Sequence, residues 1–317
     1  MSRKKSPRIV FMGTPDFAVT ILDKLVENDY HIVGVITAPD KPAGRGRKLR
    51  ASAVKNYAVE KGLHLMQPAK LRDEAFLREL ESLKPDLQIV VAFRMLPKVV
   101  WNLPKMGTFN LHASLLPDYR GAAPIHWAII NGESKTGVTT FFIDDKIDTG
   151  EIIASKELDI EQDETVGSLH DKLMYLGADL VCETVDMISA NEVQTTKQPT
   201  AIDKLAPKLT PENTKIDWEQ PLDHIYNKVR GLNPFPASWT SILNNNESTT
   251  AKIYQVDKEF CQHHHPVGKI VVEHRKLKVA VKDGFLIIDE IKLSGKRKMP
   301  VRDLLNGYSF SEDSKMF

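Results

Sequence analysis

An amide and an imidazole lie two residues apart on one predicted strand. Side chains alternate along a strand, so in the segment 107–113 Asn110 and His112 point to one face while Phe109 and Leu111 point to the other. A strand inside a parallel sheet is normally apolar on both faces, and two polar side chains near its end therefore need an explanation. The pair is either a hydrogen-bonded cap of the strand or part of a functional site.

Two neighbouring features favour the functional interpretation. The segments 115–117 and 120–124 predict a compact turn before a helix, in which Gly and other small residues let a ligand approach the backbone closely. Asp148 follows the predicted strand 139–143 and supplies a carboxylate. Asp144 and Asp145 lie close by, but Gly and Glu do not occupy the sixth and twelfth positions that a calcium loop requires. A solvated turn is the interpretation of those two acids.

The elements that must position these side chains are strands alternating with helices. Apolar runs at 8–12, 31–37, 87–93 and 107–113 predict strands, and helical spacing follows the turn at 13–15 and again at 51–61. A longer helix is predicted from 165 to 191, with Thr165 as its N-cap. This alternation predicts an α/β fold with a Rossmann-like parallel sheet, whose ligands bind at the carboxyl ends of the strands.

The second part of the chain has a different pattern. Residues 194–210 are polar and rich in proline, which predicts a linker between a first domain at 1–193 and a second at 211–317. Short β-rich stretches then recur between turn residues, which predicts a small β-barrel of the OB-fold kind. These stretches are 238–243, 251–256, 268–272, 276–281 and 285–293.

Composition excludes several classes of protein. The 317 residues have a net charge of +1, so bulk charge does not indicate a histone-like or strongly acidic protein. Two cysteines without CxxC spacing exclude a disulfide framework and a four-thiolate zinc site. Apolar stretches such as 89–93 are far shorter than the roughly 18 residues needed to span a bilayer, so we expect no membrane association. The cysteine usage fits a reducing cytoplasm, so we expect a cytoplasmic protein.

Five segments together resemble the folate-dependent formyltransferase family. Two regions of the second domain, 215–218 and 230–239, resemble the branch of that family that formylates methionyl-tRNA. The Gly-Arg-Gly loop near residue 45 points to the same branch. The five segments are 13–18, 39–49, 110–117, 120–125 and 148–150.

The resemblance implies that 10-formyltetrahydrofolate donates a formyl group to the α-amino group of methionyl-tRNA. It also implies three catalytic residues, with the Asn110 amide and a protonated His112 donating hydrogen bonds to the developing oxyanion. Asp148 would orient the imidazole and help to move protons from the attacking to the leaving nitrogen. No covalent nucleophile is needed, and neither a Gly-x-Ser-x-Gly elbow nor a P-loop is present.

The resemblance further implies a folate-binding segment after the predicted strand 87–93. Phe93 and Arg94 stand where the methionyl-tRNA branch usually has Tyr-Gly, which is a departure from its pattern. The predicted folate contacts are Arg94, Met95, Leu96, Ser114, Leu115, Leu116 and Pro117.

Two basic stretches are candidates for contacts with tRNA. The stretch 41–59 contains no acid, and its predicted tRNA-binding residues are Lys41, Arg45, Arg47 and Lys48. The stretch 269–302 holds ten bases against four acids, and Lys296 and Lys298 are its predicted contacts. A solvated surface is the alternative interpretation of both stretches.

Two other functions remain open at this stage. One is formylation of an amino sugar or a purine-precursor amine, and the other is an RNA-binding protein without catalytic activity. We expect no metal, because the adjacent histidines 263–265 would point apart on a strand and no cysteine or carboxylate pair has ligand spacing. Nothing in the sequence indicates an obligate protein partner.

Overall fold

A computed structural model describes residues 7–43, 48–201 and 204–317, which divide into two compact units. The first unit comprises the described residues of Met1–Gly121, Gly137–Leu158 and His170–Leu205. The second comprises Ala122–Thr136, Asp159–Leu169 and Ala206–Phe317. The units interleave along the chain, and the predicted domain boundaries at 193 and 211 stay a prediction.

The regular elements up to residue 190 alternate as the sequence predicts. The strands are β1 (Ile9–Gly13), β2 (Ile32–Ile36), β3 (Lys41–Ala43), β4 (Lys48–Arg50), β5 (Leu65–Met66), β6 (Leu87–Val91), β7 (Thr108–His112), β8 (Arg120–Gly121), β9 (Lys135–Phe142) and β10 (Ile152–Asp159). The helices are α1 (Asp16–Glu27), α2 (Ala53–Glu60), α3 (Glu74–Ser82), α4 (Lys98–Trp101), α5 (Pro124–Ile130) and α6 (Val166–Ala190).

The main sheet of the first unit has the strand order β10-β9-β7-β6-β1-β2-β5. Strands β7, β6, β1, β2 and β5 run parallel to one another, and every residue of β1 and β6 is buried, as expected for strands covered on both faces. Strand β9 pairs antiparallel with β7. The prediction of a Rossmann-like sheet is confirmed, with the addition of an antiparallel edge.

Local sequence signals explain where the helices begin. Ser52 and Asp73 cap α2 and α3 by accepting hydrogen bonds from backbone N–H groups of the first turn. Thr165 caps α6 in the same way, since its hydroxyl accepts from the Ser168 N–H. At the turn from β1 into α1, a Cβ on Gly13 would lie 2.5 Å from the Ala18 Cβ, so this close approach requires glycine.

The second unit is built mainly from an antiparallel sheet. Its order is β14-β15-β16-β13-β12-β18, and β17 pairs with β16. A bridge between Lys269 and Lys315 joins the chain beside the first and last strands of that order, so the sheet curls round to meet itself. The elements after residue 190 are β11 (Leu205–Ala206), α7 (Pro211–Thr214), α8 (Leu222–Leu232), β12 (Ser238–Asn244), β13 (Glu247–Phe260), β14 (Ile270–Glu273), β15 (Lys276–Val281), β16 (Gly284–Leu293), β17 (Met299–Pro300), α9 (Val301–Leu304) and β18 (Lys315–Met316).

One apolar core stabilises this curled sheet. Alternate residues of β12 and β13 face inward, and they pack with the buried side of α8 and with Trp218. The Trp218 indole donates a hydrogen bond to the Thr240 hydroxyl, so its polar atom is satisfied inside the core. The prediction of a small barrel-like second domain is confirmed.

No helix in the described part of the chain is both long enough and apolar enough to span a membrane. The cellular compartment stays a prediction.

Candidate active site

The carboxyl ends of β1, β6 and β7 lie at one edge of the parallel sheet. Gly13 pairs with Val91, and Val91 pairs with Leu111, so the loops that follow these strands leave the sheet side by side. Asn110 and His112 sit on β7 at this edge. Asn110 is the half-buried residue of that strand, and the residues around it are buried.

The imidazole of His112 has one nitrogen committed to the backbone. Its Nε2 lies 2.8 Å from the carbonyl oxygen of Tyr119, and because a carbonyl only accepts, Nε2 must carry a proton. The other nitrogen, Nδ1, is 3.8 Å from Oδ2 of Asp148. The two side chains are 7% and 13% exposed, so little water screens their interaction.

The Asp148 carboxylate is held by the backbone of β8. The N–H of Gly121 donates to Oδ2 of Asp148 over 2.9 Å, which leaves that oxygen directed at the imidazole. Asp148 itself has a φ of 55°, a left-handed conformation that aspartate tolerates better than most residues. The earlier acid of the loop, Asp144, accepts from the Lys146 N–H and the Thr149 hydroxyl, which is the behaviour of a turn residue.

Strand β9 ends away from His112, so Asp148 reaches the imidazole only through the loop that follows this strand. If β9 ran parallel to β7, a carboxylate at its end would lie at the same edge of the sheet as His112. Strand β9 is antiparallel, however, and its last residue, Phe142, pairs with Phe109 near the start of β7. Loop 143–151 therefore has to return along the strand to bring Asp148 to His112. Asp148 thus follows a strand that neighbours β7, but the loop and not the strand end brings its carboxylate to His112.

The Asn110 amide stands apart from this network. Among the described residues, no hydrogen bond to its side-chain amide is found, whereas both nitrogens of His112 have partners. A half-buried amide with unused donors beside an imidazole is suited to bind an oxygen that gains negative charge. Catalytic roles for Asn110, His112 and Asp148 stay predictions.

The predicted folate contacts at 114–117 form a turn fixed by its own hydrogen bonds. The Ser114 hydroxyl is buried and donates to the Asp118 carbonyl, and the Thr139 hydroxyl bridges the Ser114 carbonyl and the Leu116 N–H. Leu115 packs beside Gly137, where a Cβ would lie 2.5 Å from it. Pro117 is half-buried. The Ser114 hydroxyl is thus used within the turn, and folate contact by these residues stays a prediction.

The predicted folate contacts after β6 have differing environments. Arg94 donates to the backbone carbonyls of Pro68 and Ala69, and burial lowers the pKa of its guanidinium. Met95 is 67% exposed, whereas Leu96 is buried in the core of the unit. Of the three, Met95 is the apolar side chain that remains open to a ligand.

The sequence did not indicate Gln198 or the side-chain role of Arg120. Gln198 lies in the predicted linker 194–210, yet its amide donates to the carbonyls of Asp148 and Gly150. Arg120, which the sequence placed in a turn, is buried and donates to the Gln198 amide oxygen. A polar residue among prolines carries no spacing signal, so the sequence alone could not have indicated this contact.

Only part of the first predicted tRNA-binding stretch belongs to the described residues. Lys41 is exposed at the start of β3, and β3 pairs with β4, which begins at Lys48. Arg45 and Arg47 lie outside the described residues, as does the side chain of Lys48. Just beyond, the Lys55 ammonium binds Asp40 at 2.6 Å and lowers the pKa of that carboxyl.

In the second predicted tRNA-binding stretch, several charges have partners. Lys298 pairs with Glu290 at 2.7 Å, while the Lys296 ammonium lies 5.4 Å from the centre of the Tyr308 ring. Lys278 and Lys282 pair with Glu259 and Glu219, acids that lie outside the stretch 269–302. A local charge count from the sequence therefore overstates the positive charge of this surface.

Histidines, cysteines and carboxylates do not gather into a metal site among the described residues, where no group of three or more could hold an ion. His263 instead lies within hydrogen-bond distance of the carbonyls of Val281 and Gly284.

Comparison with known proteins places the chain in a family. Residues 7–185 match the model of the formyl transferase family, and residues 208–309 match that of the formyl transferase C-terminal domain. A methionyl-tRNA formyltransferase from Flavobacterium johnsoniae is 55% identical over 311 residues, covering 98% of this chain and 99% of that protein. One from Parabacteroides distasonis is 54% identical over 314 residues, covering 96% and 97%.

Two solved structures share the fold. An N-formyltransferase from Helicobacter canadensis in complex with folinic acid and dTDP-3-aminofucose has a TM-score of 0.66 at 22% identity, covering 92% of this chain and 100% of that one. HypX from Aquifex aeolicus in complex with tetrahydrofolic acid has a TM-score of 0.65 at 19% identity, covering 95% of this chain and 47% of HypX. The chain thus spans about half the length of HypX. At these identities the likeness shows the fold alone. From the family models and the full-length relatives, the chain belongs to the formyl transferase family, in the branch whose members are named methionyl-tRNA formyltransferase.

Proposed function

We propose that this chain transfers the formyl group of 10-formyltetrahydrofolate to the α-amino group of initiator methionyl-tRNA. The observation that carries the proposal is the buried pairing of His112 Nδ1 with the Asp148 carboxylate, beside an Asn110 amide with unused donors. The close relatives that cover nearly the whole chain support the choice of methionyl-tRNA as acceptor.

The reaction requires a proton acceptor and a donor to oxygen. A neutral amine attacks the formyl carbon, so its proton must leave while the formyl oxygen gains negative charge. Asn110 donates a hydrogen bond to that oxygen. His112 can act only through Nδ1, since Nε2–H is bound to the Tyr119 carbonyl. Nδ1 thus serves both the substrate and Asp148, and the carboxylate stabilises the imidazole when it carries the second proton.

Folate binding is supported by apolar side chains left open at the edge of the sheet. Met95 follows β6, and Ile147 directly precedes Asp148; they are 67% and 63% exposed. Apolar side chains at these positions supply contacts of the kind that a flat, partly apolar ligand needs. When bound, the folate supplies the formyl group and a nitrogen that can leave once protonated.

Binding of tRNA is supported by a row of side chains on the outside of the curled sheet. Trp239 pairs with Lys252 across β12 and β13, and Lys252 pairs with Lys292 across β13 and β16. We call these three residues the barrel row. Like charges directly opposite on paired strands repel each other, and the phosphates of a nucleic acid relieve that repulsion. Lys215 lies above the Trp239 ring and adds a further positive charge.

The test is formylation of charged initiator tRNA. The purified protein would be incubated with 10-formyltetrahydrofolate and methionyl-tRNA, and formylmethionine would be identified after hydrolysis of the ester. An amino-sugar nucleotide and a purine-precursor amine would be offered in parallel as the alternative acceptors. We expect product from methionyl-tRNA alone. Formylation of either small amine, with none of the tRNA, would overturn the proposal.

A further inference from the structure

We propose that Gln198 is a positioning residue for the Asp148 carboxylate. The inference rests on the proposed function, in which Asp148 assists His112. Gln198 belongs to the predicted linker and is far from Asp148 in sequence, but its side chain forms a hydrogen bond with the Asp148 backbone. All the residues concerned belong to the first unit.

Gln198 binds the loop of Asp148 at two points. Its Nε2 donates to the carbonyl oxygen of Asp148 over 3.1 Å and to that of Gly150 over 2.7 Å. A hydrogen bond to this carbonyl restrains the peptide plane that follows Asp148 and so limits rotation about the ψ dihedral of that residue. The carboxylate is thereby aimed from the backbone side, while the Gly121 N–H holds it at Oδ2.

The loop needs such support because its backbone adopts an uncommon conformation and is tightly packed. Asp148 has a φ of 55°, and sparsely populated conformations persist only where their surroundings enforce them. At Gly150 a Cβ would overlap the carbonyl oxygen of Phe142, so the chain passes too close to β9 to relax in that direction. Without the Gln198 donors, two loop carbonyls would lose their hydrogen-bond partner.

Arg120 fixes the orientation of the Gln198 amide. Its Nε and Nη2 donate to Oε1 of Gln198 over 3.1 and 2.7 Å, and Nη2 also donates to the Pro199 carbonyl over 3.1 Å. A guanidinium has no acceptor, so the amide oxygen must face Arg120 and the NH₂ group must face the loop. Arg120 is 7% exposed, which keeps water from competing for these bonds.

The contacts close into a ring. Arg120 precedes Gly121, Gly121 donates to Asp148, Asp148 accepts from Gln198, and Gln198 accepts from Arg120. The backbone of the linker reinforces the ring, because Thr196 and Ile152 exchange two hydrogen bonds of 2.8 and 2.9 Å. Such a closed set of bonds holds the carboxylate in one place relative to His112.

The direct test is Gln198→Glu. This change keeps the length of the side chain and its contact with Arg120 but replaces the NH₂ donor with an oxygen that repels the loop carbonyls. We expect kcat to fall by about 10- to 100-fold, as for a catalytic group displaced by about 1 Å, with KM for methionyl-tRNA and folate binding unchanged. Gln194→Glu is the matched control, since it adds the same charge to an exposed position of the same segment. Gln198→Leu, which adds no charge, should behave like Gln198→Glu.

A double-mutant cycle with Asp148→Asn separates positioning from a general structural role. If Gln198 acts through Asp148, then adding Gln198→Glu to Asp148→Asn should change kcat by less than about twofold, because coupled residues are not additive. Equal losses in the two backgrounds, or a near-normal kcat for Gln198→Glu and Gln198→Leu, would overturn the proposal.

Amide hydrogen exchange tests the inference without any substrate. In Gln198→Glu we expect faster exchange of the Gly121 N–H, which is bound to Asp148, with unchanged exchange in β1 and β6. Unaltered exchange at Gly121 would contradict the positioning role even if the protein formylated nothing. Faster exchange in Gln198→Glu, together with a wild-type protein that does not formylate methionyl-tRNA, would instead count against the proposed function alone.

Discussion

The surroundings of His112 and the barrel row use charge in opposite ways. At His112 a single carboxylate, 13% exposed, is held by a backbone N–H and lies 3.8 Å from the imidazole. On the barrel row, Lys252 and Lys292 are exposed, lie directly opposite each other, and carry the same charge. The His112 arrangement has its countercharge within the protein, whereas on the barrel row the Lys252 ammonium donates only to the neutral Pro236 carbonyl over 2.8 Å and its positive charge stays available to an anion.

Under the proposed function, this contrast predicts that the two regions affect different steps. A buried, hydrogen-bonded charge acts on reacting atoms at short range and changes the rate at which bound substrate reacts. Exposed lysines attract a polyanion at long range and change the affinity of the protein for it, and salt screens this attraction. Substitutions in the two regions should therefore alter different constants.

The largest effect is expected from Asp148→Asn. Loss of the charge should lower kcat by about 10²- to 10⁴-fold, since proton transfer through His112 loses its support. Folate binding, measured by fluorescence titration, should be nearly unchanged. Asp144→Asn is the matched control, because Asp144 caps the turn of the same loop and does not reach His112. A near-normal kcat for Asp148→Asn would remove the carboxylate from the mechanism.

A somewhat smaller loss of activity is expected from Asn110→Ala. Removing a donor to the developing oxyanion should lower the single-turnover rate by about 10²- to 10³-fold. The melting temperature should stay close to that of the wild type, because the amide has no hydrogen bond among the described residues. If the rate fell only in proportion to weaker binding of methionyl-tRNA, Asn110 would be a binding residue and not an oxyanion donor.

On the barrel row the expected effect is on salt dependence. Replacing Lys252 and Lys292 with Gln should reduce the slope of log affinity for tRNA against log salt by up to about 0.9 for each lost phosphate contact. Single-turnover rates at saturating tRNA should not change. Lys298→Gln should reduce the slope less, because Glu290 already neutralises that ammonium at 2.7 Å. Equal slopes for all variants would leave the barrel row as solvated surface.

The smallest effect concerns stability. Lys292→Gln removes the repulsion with Lys252, so the melting temperature should rise by about 1 °C while binding of tRNA weakens. Calorimetry of the unbound protein gives the melting temperature. Lys276→Gln is the contrasting variant, because Lys276 lies opposite Glu273 across β14 and β15 and its loss removes an attraction, so the melting temperature should not rise. A lower melting temperature would mean that the two lysines do not repel each other appreciably.

Much of the fold could be predicted because the sequence patterns that indicate its helices and strands are local. The alternation of strands and helices, the Thr165 cap and the short strands after 238 each depend on residues close in sequence, and the structure has them. The direction of β9 could not be predicted, because a strand has the same side-chain period in either direction. The antiparallel pairing of β9 with β7 is a tertiary choice.

The residues of the candidate site likewise differ in how far the sequence could predict them. Asn110 and His112 could be paired from the strand period alone, whereas the catalytic role predicted for Asp148 came from the family resemblance. Gln198 was hidden because its contact with Asp148 spans 50 positions in sequence. The partners of the barrel lysines were hidden for the same reason, since Glu219 and Glu259 are brought to Lys282 and Lys278 only by folding.

The antiparallel direction of β9 makes the number of residues in loop 143–151 matter as much as their types. The loop must run back from Phe142, opposite Phe109, to reach His112 three strand positions away, a distance of about 10 Å. Each deleted residue removes up to about 3.5 Å of reach, which is close to the whole 3.8 Å between Asp148 and His112. Surface loops usually tolerate insertions and deletions, but in this one a length change would misplace the carboxylate while every side chain of the site remained intact.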